Sequence, residues 1–352
     1  MIYTVTLNPT IDRTLVLDGN LILGDVNRGN LTKVAAGGKG INCAQAACGM
    51  GSEAVAYCFI GKDNIEEFEK STVGLNCDIR AEYKKGLTRT CLKVYANNGL
   101  TTEFNEYGSR LSAEEMKPFI ARLIMDIQKE GKPEFIVLSG SVPPGVESGI
   151  YAGMIALFKK LGIPTMLDCD GETLRRGIES SPYLVKPNLS EFEAYCGGAL
   201  QSIPEIIKNA KEVAQKYDTR LLVTIGGDGM IYADKEVCYR VTVPEVNCST
   251  TVGAGDTVFG VLAAALSKGL SMEKSLQLAG AAACAKVVGQ PGAFPVQSDV
   301  LPYLPKVSVM KWEEPETELT EDVEKEEESD QTIDFEKTEE KSEQTEETNS
   351  GK

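Results

Sequence analysis

The clearest chemical signal in this sequence is an aspartate that follows a glycine-containing turn and precedes a long apolar segment. Residues 250–257 read TTVGAGDT, and the apolar run VFGVLAAAL follows. Gly253 and Gly255 let backbone N–H groups turn towards one point, and the following helix adds the positive end of its dipole. Gly253, Ala254 and Gly255 are therefore predicted to form an anion hole for a phosphoryl group.

Asp256, at the start of this helix, has two interpretations. Most aspartates in such a position only cap the helix. The sequence contains no histidine, however, so the commonest general base of enzymes is absent. A carboxylate beside an anion hole is suited to accept the proton of an attacking hydroxyl group, as phosphoryl transfer requires. We predict that Asp256 is the catalytic base.

Other polar residues follow predicted strands, at the edge where a parallel sheet binds its ligands. Asp12 lies in NPTID after the first strand, and its carboxylate can accept two hydrogen bonds from adjacent sugar hydroxyls. Residues 37–42, GGKGIN, open a helix, where Lys39 and exposed amides would hold a phosphate or sugar hydroxyls. This string lacks the spacing and the Ser/Thr of a P-loop, so it does not by itself indicate a nucleotide site.

Three later motifs end predicted strands in the same way. Residues 139–141 read SGS, and residues 186–188 read KPN, with Glu191 one helical turn later. Residues 226–229 read GGDG, which predicts a tight turn through which ATP phosphates can approach the main chain. These motifs add candidate ligand-binding groups to the same sheet edge.

Short apolar runs alternate with helical patterns along most of the chain. The runs are IYTVTL, AVAYCFI, FIVLSG, PTMLDCD, YLVKPN and LLVTIGG. Strands separated by helices predict an α/β fold whose parallel sheet is covered by helices on both faces. Residues of about 11–35 and 79–104 instead contain alternating segments and the turn Asn98-Gly99, which predicts an inserted antiparallel flap. This flap is suited equally to closing over the strand ends as a lid and to pairing with a second copy in a homodimer.

The net charge of −16 is concentrated near the C-terminus. Residues 312–352 contain 18 acidic and 4 basic residues, a net charge of −14, so the remaining 311 residues carry only about −2. A nearly neutral body offers no basic stripe for nucleic acid or an anionic membrane. Residues 1–309 are predicted to form the packed domain. Residues 310–352 are predicted to be a disordered acidic tail, because few apolar residues offset the entropy of ordering them, and no feature of the tail identifies a partner.

The remaining composition indicates where the protein resides. Ten scattered cysteines without a C-x-x-C pair are typical of small buried hydrophobes in a reducing compartment. The N-terminus begins with a strand pattern in place of a signal peptide, and no apolar run reaches the ~20 residues needed to span a bilayer. We expect a cytoplasmic protein.

Six motifs together resemble one protein family. TLNPTID, AAGGKGIN, LSGSVPPG, KPNLSE, TIGGDG and TTVGAGDTVFG have the order and spacing of the ribokinase-like (PfkB) carbohydrate kinases. The chain is more narrowly similar to the branch that contains 1-phosphofructokinase and tagatose-6-phosphate kinase. The resemblance implies a three-layer α/β fold with a mostly parallel central sheet and a small antiparallel β lid.

The resemblance also implies roles for individual positions. Asp256 matches the catalytic base, and Gly253, Ala254 and Gly255 match the anion hole. The implied substrate-binding residues are Asp12, Gly38, Lys39, Asn42, Arg89 and Ser139. Among these, Lys39 and Arg89 would neutralise the phosphate that the substrate already carries. The implied nucleotide-binding residues are Lys186, Asn188, Thr224, Gly227, Gly229 and Thr251. Asn188 and Glu191 match an element that organises magnesium through water, and the adenine pocket would lie between residues 243–247 and 281–292.

The implied reaction transfers a phosphoryl group from ATP, with Mg²⁺, to a hydroxyl of a small phosphorylated sugar. We expect fructose 1-phosphate to be converted into fructose 1,6-bisphosphate. The alternative substrate is tagatose 6-phosphate, and no residue of the sequence separates the two. An alternative of another class is a non-catalytic regulator that binds a sugar phosphate. An NAD-dependent dehydrogenase is excluded, because no G-x-G-x-x-G follows the first strand.

Overall fold

The computed structural model describes residues 1–313, and the predicted acidic tail lies outside the described residues from residue 314 onwards. Within this region the strands are β1 (Ile2–Thr6), β2 (Thr10–Leu17), β3 (Gly29–Gly37), β4 (Ala54–Gly61), β5 (Asp78–Lys84), β6 (Arg89–Tyr95), β7 (Thr101–Asn105), β8 (Phe135–Ser139), β9 (Thr165–Asp168), β10 (Leu184–Val185), β11 (Leu221–Thr224), β12 (Met230–Ala233), β13 (Cys238–Thr242) and β14 (Ser308–Lys311). The α-helices are α1 (Lys39–Gly49), α2 (Ile65–Ser71), α3 (Ala113–Glu130), α4 (Ile150–Lys160), α5 (Gly171–Glu179), α6 (Leu189–Cys196), α7 (Ile203–Tyr217), α8 (Ala254–Ser267), α9 (Met272–Val288) and α10 (Gln297–Val300).

The central sheet of the described region has ten strands, in the order β14-β13-β12-β11-β10-β9-β8-β1-β4-β5. Seven neighbouring strands in this order pair in parallel, namely β11, β10, β9, β8, β1, β4 and β5. Strands β12, β13 and β14 add antiparallel pairs at one side of the sheet. The predicted α/β fold with a mostly parallel sheet is confirmed. Because parallel strands end at the same edge, the motifs that follow β1, β8, β9, β10 and β11 all lie along one side of the sheet.

Helices cover both faces of this sheet and form the two outer layers. Apolar side chains of α1, α8 and α9, including Ile41, Phe259 and Leu276, pack in one buried cluster. Side chains of α3, α4 and α7, including Phe119 and Phe158, pack in a second cluster on the other face. The buried strands therefore carry apolar residues on both faces, which explains why they read as continuous apolar runs in the sequence.

A second sheet of four strands, in the order β3-β2-β6-β7, forms the lid. The predicted antiparallel pairing is correct for β2 with β3 and for β6 with β7, but β2 and β6 pair in parallel. The reason is that β2 follows β1 and β6 follows β5, and β1 and β5 end at the same edge of the central sheet. The lid strands expose the apolar side chains Val16, Leu31, Val34 and Phe104. The homodimer through the lid stays a prediction.

Two predicted boundaries differ from the structure. Residues 79–84 were assigned to the flap, but Asp78–Lys84 pairs in parallel with β4 and forms an edge of the central sheet. The packed domain was expected to end at residue 309, but β14 continues to Lys311 and Trp312 packs against a core cluster. In both places, a segment with an alternating or polar sequence joins the central sheet because it pairs with a strand that is distant in the chain.

The structure also bears on the predictions from composition. None of the helices between residues 1 and 313 combines the length and the apolar character needed to cross a bilayer. Nine of the ten cysteine side chains are buried or half-buried, as predicted, and Cys248 is the exposed exception.

Helices α1 and α8 pack so closely that Gly260 has no room for a side chain. A Cβ at this position would lie 2.2 Å from the carbonyl oxygen of Cys43. Gly260→Ala is therefore expected to lower the free energy of unfolding by about 1–3 kcal/mol, because overpacking forces the helices apart. Urea denaturation of the two proteins measures this difference.

Gly153→Ala provides a matched control, because Gly153 also lies in a helix and a Cβ there would have no neighbour within 4 Å. This change is expected to stabilise the protein by roughly 0.5–1 kcal/mol, since alanine favours the helix. Equal stability of the Gly260→Ala variant and the wild type would show that the helices tolerate a wider separation.

Candidate active site

The largest cavity near the predicted motifs lies at the carboxyl edge of the central sheet, beside the start of α8, and has a volume of about 750 Å³. It brings together most of the residues that the sequence marked for catalysis and nucleotide binding. Those that line it are Lys39, Lys186, Asn188, Thr224, Gly227, Gly229, Thr251, Ala254, Gly255 and Asp256. They come from segments that are far apart in the chain, so only the fold makes them one site.

Asp256 lies in the first turn of α8, and its side chain is buried. No side chain caps this helix. The carboxylate of Asp256 instead accepts a hydrogen bond of 2.7 Å from the Nδ2 group of Asn42 on α1. The helix-capping interpretation therefore does not describe Asp256, whose carboxylate faces the cavity.

The surroundings of Asp256 favour its role as a proton acceptor. Burial and then the negative charge of Asp168 raise the pKa of Asp256 above its ordinary value, while Lys39 opposes this shift. A carboxylate with a raised pKa binds a proton more strongly than an exposed one. Such a shift is typical of a general base that must take a proton from an alcohol.

The turn before α8 presents backbone N–H groups to the cavity. Gly253 has the left-handed conformation, with φ of 77°, which suits glycine and starts the helix abruptly. The N–H group of Ala254 donates to the carbonyl oxygen of Thr251 at 3.2 Å, so it closes the turn. The N–H groups at the beginning of a helix have no acceptor within the helix, which leaves those of Gly253 and Gly255 for a phosphoryl group.

Asp168 is a site residue that the sequence analysis did not select. It ends β9 and is fully buried, with Oδ1 2.9 Å from Nζ of Lys39 and Oδ2 3.0 Å from Nζ of Lys186. Burial alone would raise the pKa of Asp168, but the two ammonium groups lower it below its ordinary value. The rule that selected polar residues at strand ends could have found it, since Asp168 lies within the run PTMLDCD at the end of the strand.

Lys39 occupies a different place from the predicted one. The sequence analysis assigned its ammonium to the phosphate carried by the substrate. In the structure it binds Asp168 and lies 3.7 Å from Oε1 of Glu191, on the side of the large cavity. Burial alone would lower the pKa of Lys39, but Asp168, Glu191 and Asp256 raise it above its ordinary value. The ammonium is thus fixed beside the predicted nucleotide phosphates.

Asn188 and Glu191 cap the start of α6 reciprocally. Oδ1 of Asn188 accepts a hydrogen bond from the N–H group of Glu191, and Oε2 of Glu191 accepts one from the N–H group of Asn188, both at 2.8 Å. Oε1 of Glu191 remains beside Lys39. Residues 1–313 contain no cluster of three Asp, Glu, Cys or His side chains that could hold a metal alone.

The glycine turn at the end of β11 forms another wall of the large cavity. Residues 226–228 make one turn of 3₁₀ helix, and the N–H group of Ile225 donates to the carbonyl oxygen of Gly229 at 2.8 Å. Thr224 precedes this turn, and its N–H group donates a hydrogen bond of 3.1 Å to the carbonyl oxygen of Pro187. The backbone of Gly227 and Gly229 therefore borders the cavity without side chains in the way.

The far end of the large cavity is apolar. It is lined by Val243, Val246, Val258, Ala283 and Val287. These residues come from the two segments between which the adenine pocket was predicted, and from α8. A flat aromatic base would find an apolar slot here, while its phosphates would extend towards Gly255.

A smaller cavity lies under the lid on the other side of the turn. Asp12, Asn42 and Gly253 line it together with three lysines, Lys33, Lys93 and Lys286. The carboxylate of Asp12 accepts hydrogen bonds from Lys93 and from Thr10. None of these lysines was predicted as a site residue, because neither the alternating pattern of β3 and β6 nor the helical pattern of α9 shows which side chains face a neighbouring element.

Three predicted substrate-binding residues line neither cavity. Gly38 precedes α1 and has φ of 117°. Ser139 is fully buried at the end of β8. Arg89 lies at the base of the lid, where its guanidinium donates to the carbonyl oxygens of Asn8 and Glu106. Arg89 uses three of its five N–H groups in these bonds, which leaves two for a ligand.

Residues that line the two cavities contact each other or lie close together in the chain. Asn42 lines the smaller cavity and donates a hydrogen bond to Asp256, which lines the larger one. Gly253 lines the smaller cavity, and Gly255, two residues later, lines the larger one. A hydroxyl group bound under the lid would thus approach both the buried carboxylate and the N–H groups of the turn. This arrangement can transfer a phosphoryl group between ligands held on the two sides.

The sequence and the fold of this chain are similar to those of known proteins. The pfkB family carbohydrate kinases match residues 5–299 of the chain. The 1-phosphofructokinase of Bacillus subtilis is 30% identical over 278 residues, which cover 79% of this chain and 89% of that protein. A possible 1-phosphofructokinase from Thermotoga maritima has a similar structure, with a TM-score of 0.80, 25% identity, and coverage of 89% of this chain and 100% of that one. Phosphofructokinase-2 of Escherichia coli, in complex with substrates and products, gives a TM-score of 0.80, 27% identity, and coverage of 86% and 98%.

Proposed function

Since this chain belongs to the pfkB family of carbohydrate kinases, and is thus an ATP-dependent phosphotransferase with an alcohol acceptor, we propose that it converts fructose 1-phosphate into fructose 1,6-bisphosphate. Relatives that carry the name 1-phosphofructokinase, such as that of Bacillus subtilis at 30% identity, support this choice of substrate. The proposed catalytic base is Asp256.

The observation that carries this proposal is the hydrogen bond between Asn42, which lines the smaller cavity, and Asp256, which lines the larger one, because it brings two unlike cavities close together. The larger cavity combines an apolar end with a glycine turn and two fixed cations, Lys39 and Lys186, which suits ATP. The smaller cavity combines a carboxylate with lysines, which suits a sugar that already carries a phosphate. A pocket for an uncharged sugar would not need an excess of positive groups.

The charges of the smaller cavity revise the predicted phosphate contacts. Lys39 is held by Asp168 on the nucleotide side, so we assign it to ATP. Lys33 and Lys93, from the two lid strands β3 and β6 that flank β2, and Arg89 at the base of the lid are the proposed partners of the sugar phosphate. Asp12, which already accepts a hydrogen bond from Lys93, would accept further ones from the sugar hydroxyls.

The reaction follows from these positions. The oxygen of the hydroxyl group at carbon 6 of the sugar attacks the terminal phosphorus of ATP, and the proton of that hydroxyl group passes to the carboxylate of Asp256. The bond between that phosphorus and the bridging oxygen breaks, and ADP leaves. The N–H groups of Gly253 and Gly255 and the ammonium of Lys186 stabilise the charge on the phosphoryl group during transfer.

Magnesium would be held next to the ATP phosphates. Mg²⁺ keeps several waters and is usually bound through one or two carboxylates and the substrate phosphates. The single carboxylate oxygen of Glu191 that faces Lys39, together with Asn188 at the cavity wall, fits such a water-mediated site. When bound, the ion would neutralise charge on the phosphates.

Initial rates with purified protein and Mg-ATP test the substrate. We expect the specificity constant for fructose 1-phosphate to exceed those for tagatose 6-phosphate, fructose 6-phosphate and unphosphorylated fructose. The product is identified by ³¹P NMR as the 1,6-bisphosphate. A higher specificity constant for tagatose 6-phosphate would overturn the substrate but not the kinase chemistry. Binding of a sugar phosphate without turnover of any sugar would favour the non-catalytic regulator.

A further inference from the structure

Lys286 is a buried charged group to which the phosphoryl transfer described above assigns no role. It lies in the last turn of α9, is only 2% exposed, and donates from Nζ to the carbonyl oxygen of Ala293 at 2.7 Å. Its ammonium also lies 4.7 Å from the centre of the Phe294 ring. A buried ammonium is costly unless it is well bound, so a lysine in this position needs an explanation.

The side chain of Lys286 lies against the start of the anion hole. A Cβ on Gly253 would be 3.1 Å from Cε and 3.8 Å from Nζ of Lys286. The lysine therefore supports Gly253 from the side opposite the large cavity. If the ammonium moved away, it would leave empty space next to Gly253, the residue with left-handed backbone conformation that directly precedes α8.

The segment before the anion hole is attached to the same end of α9. The N–H group of Ser249 donates to the carbonyl oxygen of Val287 at 2.7 Å, and its hydroxyl donates to the carbonyl oxygen of Gly289 at 2.6 Å. Lys286 adds the bond to Ala293 a few residues further on. The turn, the C-terminal end of α9 and residues 289–294 thus form one connected unit, with the ammonium between its parts.

The surroundings of Lys286 disfavour its positive charge. The charged groups that face it are Lys93 on β6, Lys33 on β3 and Asp256 on α8. Burial and then Lys93 lower the pKa of Lys286 to about 8, so most of the population is still protonated at neutral pH. It forms no ion pair with a carboxylate among residues 1–313, and its ammonium contacts the carbonyl oxygen of Ala293 and the ring of Phe294.

We propose that Lys286 is a positioning residue whose ammonium holds the Gly253 turn and residues 289–294 in the arrangement that phosphoryl transfer requires. It acts through the turn, without contact with the reacting atoms. The proposal rests on the kinase chemistry assigned to this site and does not depend on which sugar phosphate is the substrate.

The proposal is tested by removing the side chain of Lys286 and supplying an ammonium ion from solution in its place. Lys286→Ala is expected to lower kcat by roughly 10- to 100-fold, because a small displacement of positioning groups has effects of that size. Ammonium chloride should restore most of the lost kcat, since an ammonium ion fits the space and the acceptors that the lysine leaves. Tetramethylammonium chloride at equal concentration, which is too large and cannot donate, should not. Assays use whichever sugar phosphate the wild type phosphorylates fastest, so an incorrect substrate assignment does not affect the result.

Lys84→Ala is a closely matched control. Lys84 is 1% exposed, donates to the carbonyl oxygen of Ser109 at 2.8 Å, has a pKa lowered by burial to about 8, and lines neither cavity. This variant should lose stability, keep kcat within a few fold of the wild type, and show no activation by ammonium.

Three results would overturn the proposal. They are a kcat of folded Lys286→Ala close to that of the wild type, a loss of kcat that ammonium does not reverse, and a rise in KM for the sugar phosphate at unchanged kcat. The last would make Lys286 a substrate ligand of the smaller cavity. If Lys286→Ala does not fold, Lys286→Met, which retains the length of the side chain, is expected to fold and to show the same loss of kcat; an unchanged kcat in that variant would equally overturn the proposal.

Discussion

Asp256→Asn is expected to lower kcat by roughly 100- to 10,000-fold, the usual contribution of a general base. The amide retains the shape of the side chain and can still interact with Asn42, but it cannot accept the proton of the attacking hydroxyl. The KM values for ATP and for the sugar phosphate should change much less, because the carboxylate acts mainly in the transition state. Steady-state kinetics with both substrates varied measures this difference.

Asp126→Asn is the matched control for this prediction. Asp126 and Asp256 are both 8% exposed as whole residues, so the two substitutions change residues of similar overall exposure. Asp126 binds Arg80 and Tyr57 at 2.9 Å and lies outside both cavities. Its loss should lower stability and leave kcat within a few fold of the wild type. If Asp256→Asn and Asp126→Asn had a similar kcat, Asp256 would not be the catalytic base.

The pH dependence of the wild type gives a second readout of the same group. Asp256 can accept a proton only when it is ionised, so kcat/KM should fall as the pH is lowered through its pKa. Burial and Asp168 raise that pKa, and the fall should therefore occur at a higher pH than for an exposed aspartate. An activity that stays constant down to the ordinary range of aspartate titration would contradict the raised pKa.

Lys186→Met should have the second largest effect, a loss of roughly 100- to 1,000-fold in kcat, as for other preorganised groups that stabilise transition-state charge. The ammonium of Lys186 is fixed 3.0 Å from Asp168 and 5.8 Å from the centre of the Phe259 ring. A Cβ on Gly255 would lie 3.4 Å from it, so the charge stands directly beside the anion hole. Steady-state kinetics and equilibrium binding of ATP together separate the loss of chemistry from the loss of binding.

Lys84→Met is the control for this prediction too, because Lys84 is buried to a similar extent but lines neither cavity. It should retain kcat within a few fold of the wild type. If Lys186→Met raised only the KM for ATP and kept kcat, Lys186 would bind the ground state and the transition state equally and would not act in the transfer itself.

The alternation of apolar runs with helical patterns was enough to predict six parallel strands of the central sheet, but not β5 or the antiparallel strands β12, β13 and β14. Buried parallel strands need apolar residues on both faces, and such strands stand out in the sequence. The direction of pairing in the lid could not be read in the same way. An alternating strand looks the same whether its neighbour is parallel or antiparallel, and β2 and β6 are too far apart in the chain for a turn to decide.

The candidate site was predictable where a motif carries its own geometry. The glycine turn before α8 places Asp256 and the N–H groups of Gly253 and Gly255 within a few consecutive residues, so local chemistry was sufficient. Asp168 ends a strand and could have been selected by the rule for strand ends, whereas Lys286 could not, because a lone lysine in an apolar helix has no local pattern. Their roles depend on partners from other elements of the fold.

By itself, the sequence determined which elements form and which chain segments meet at the carboxyl edge of the sheet, because strand and helix patterns and parallel topology are local or follow from connectivity. Only the tertiary structure decided that Lys39 binds Asp168 beside the larger cavity, that lysines of the lid and of α9 line the smaller cavity, and that Asn42 donates a hydrogen bond to Asp256. Long charged side chains can reach several partners from one backbone position, and the choice among them is made by burial and by the charges that other elements bring within reach.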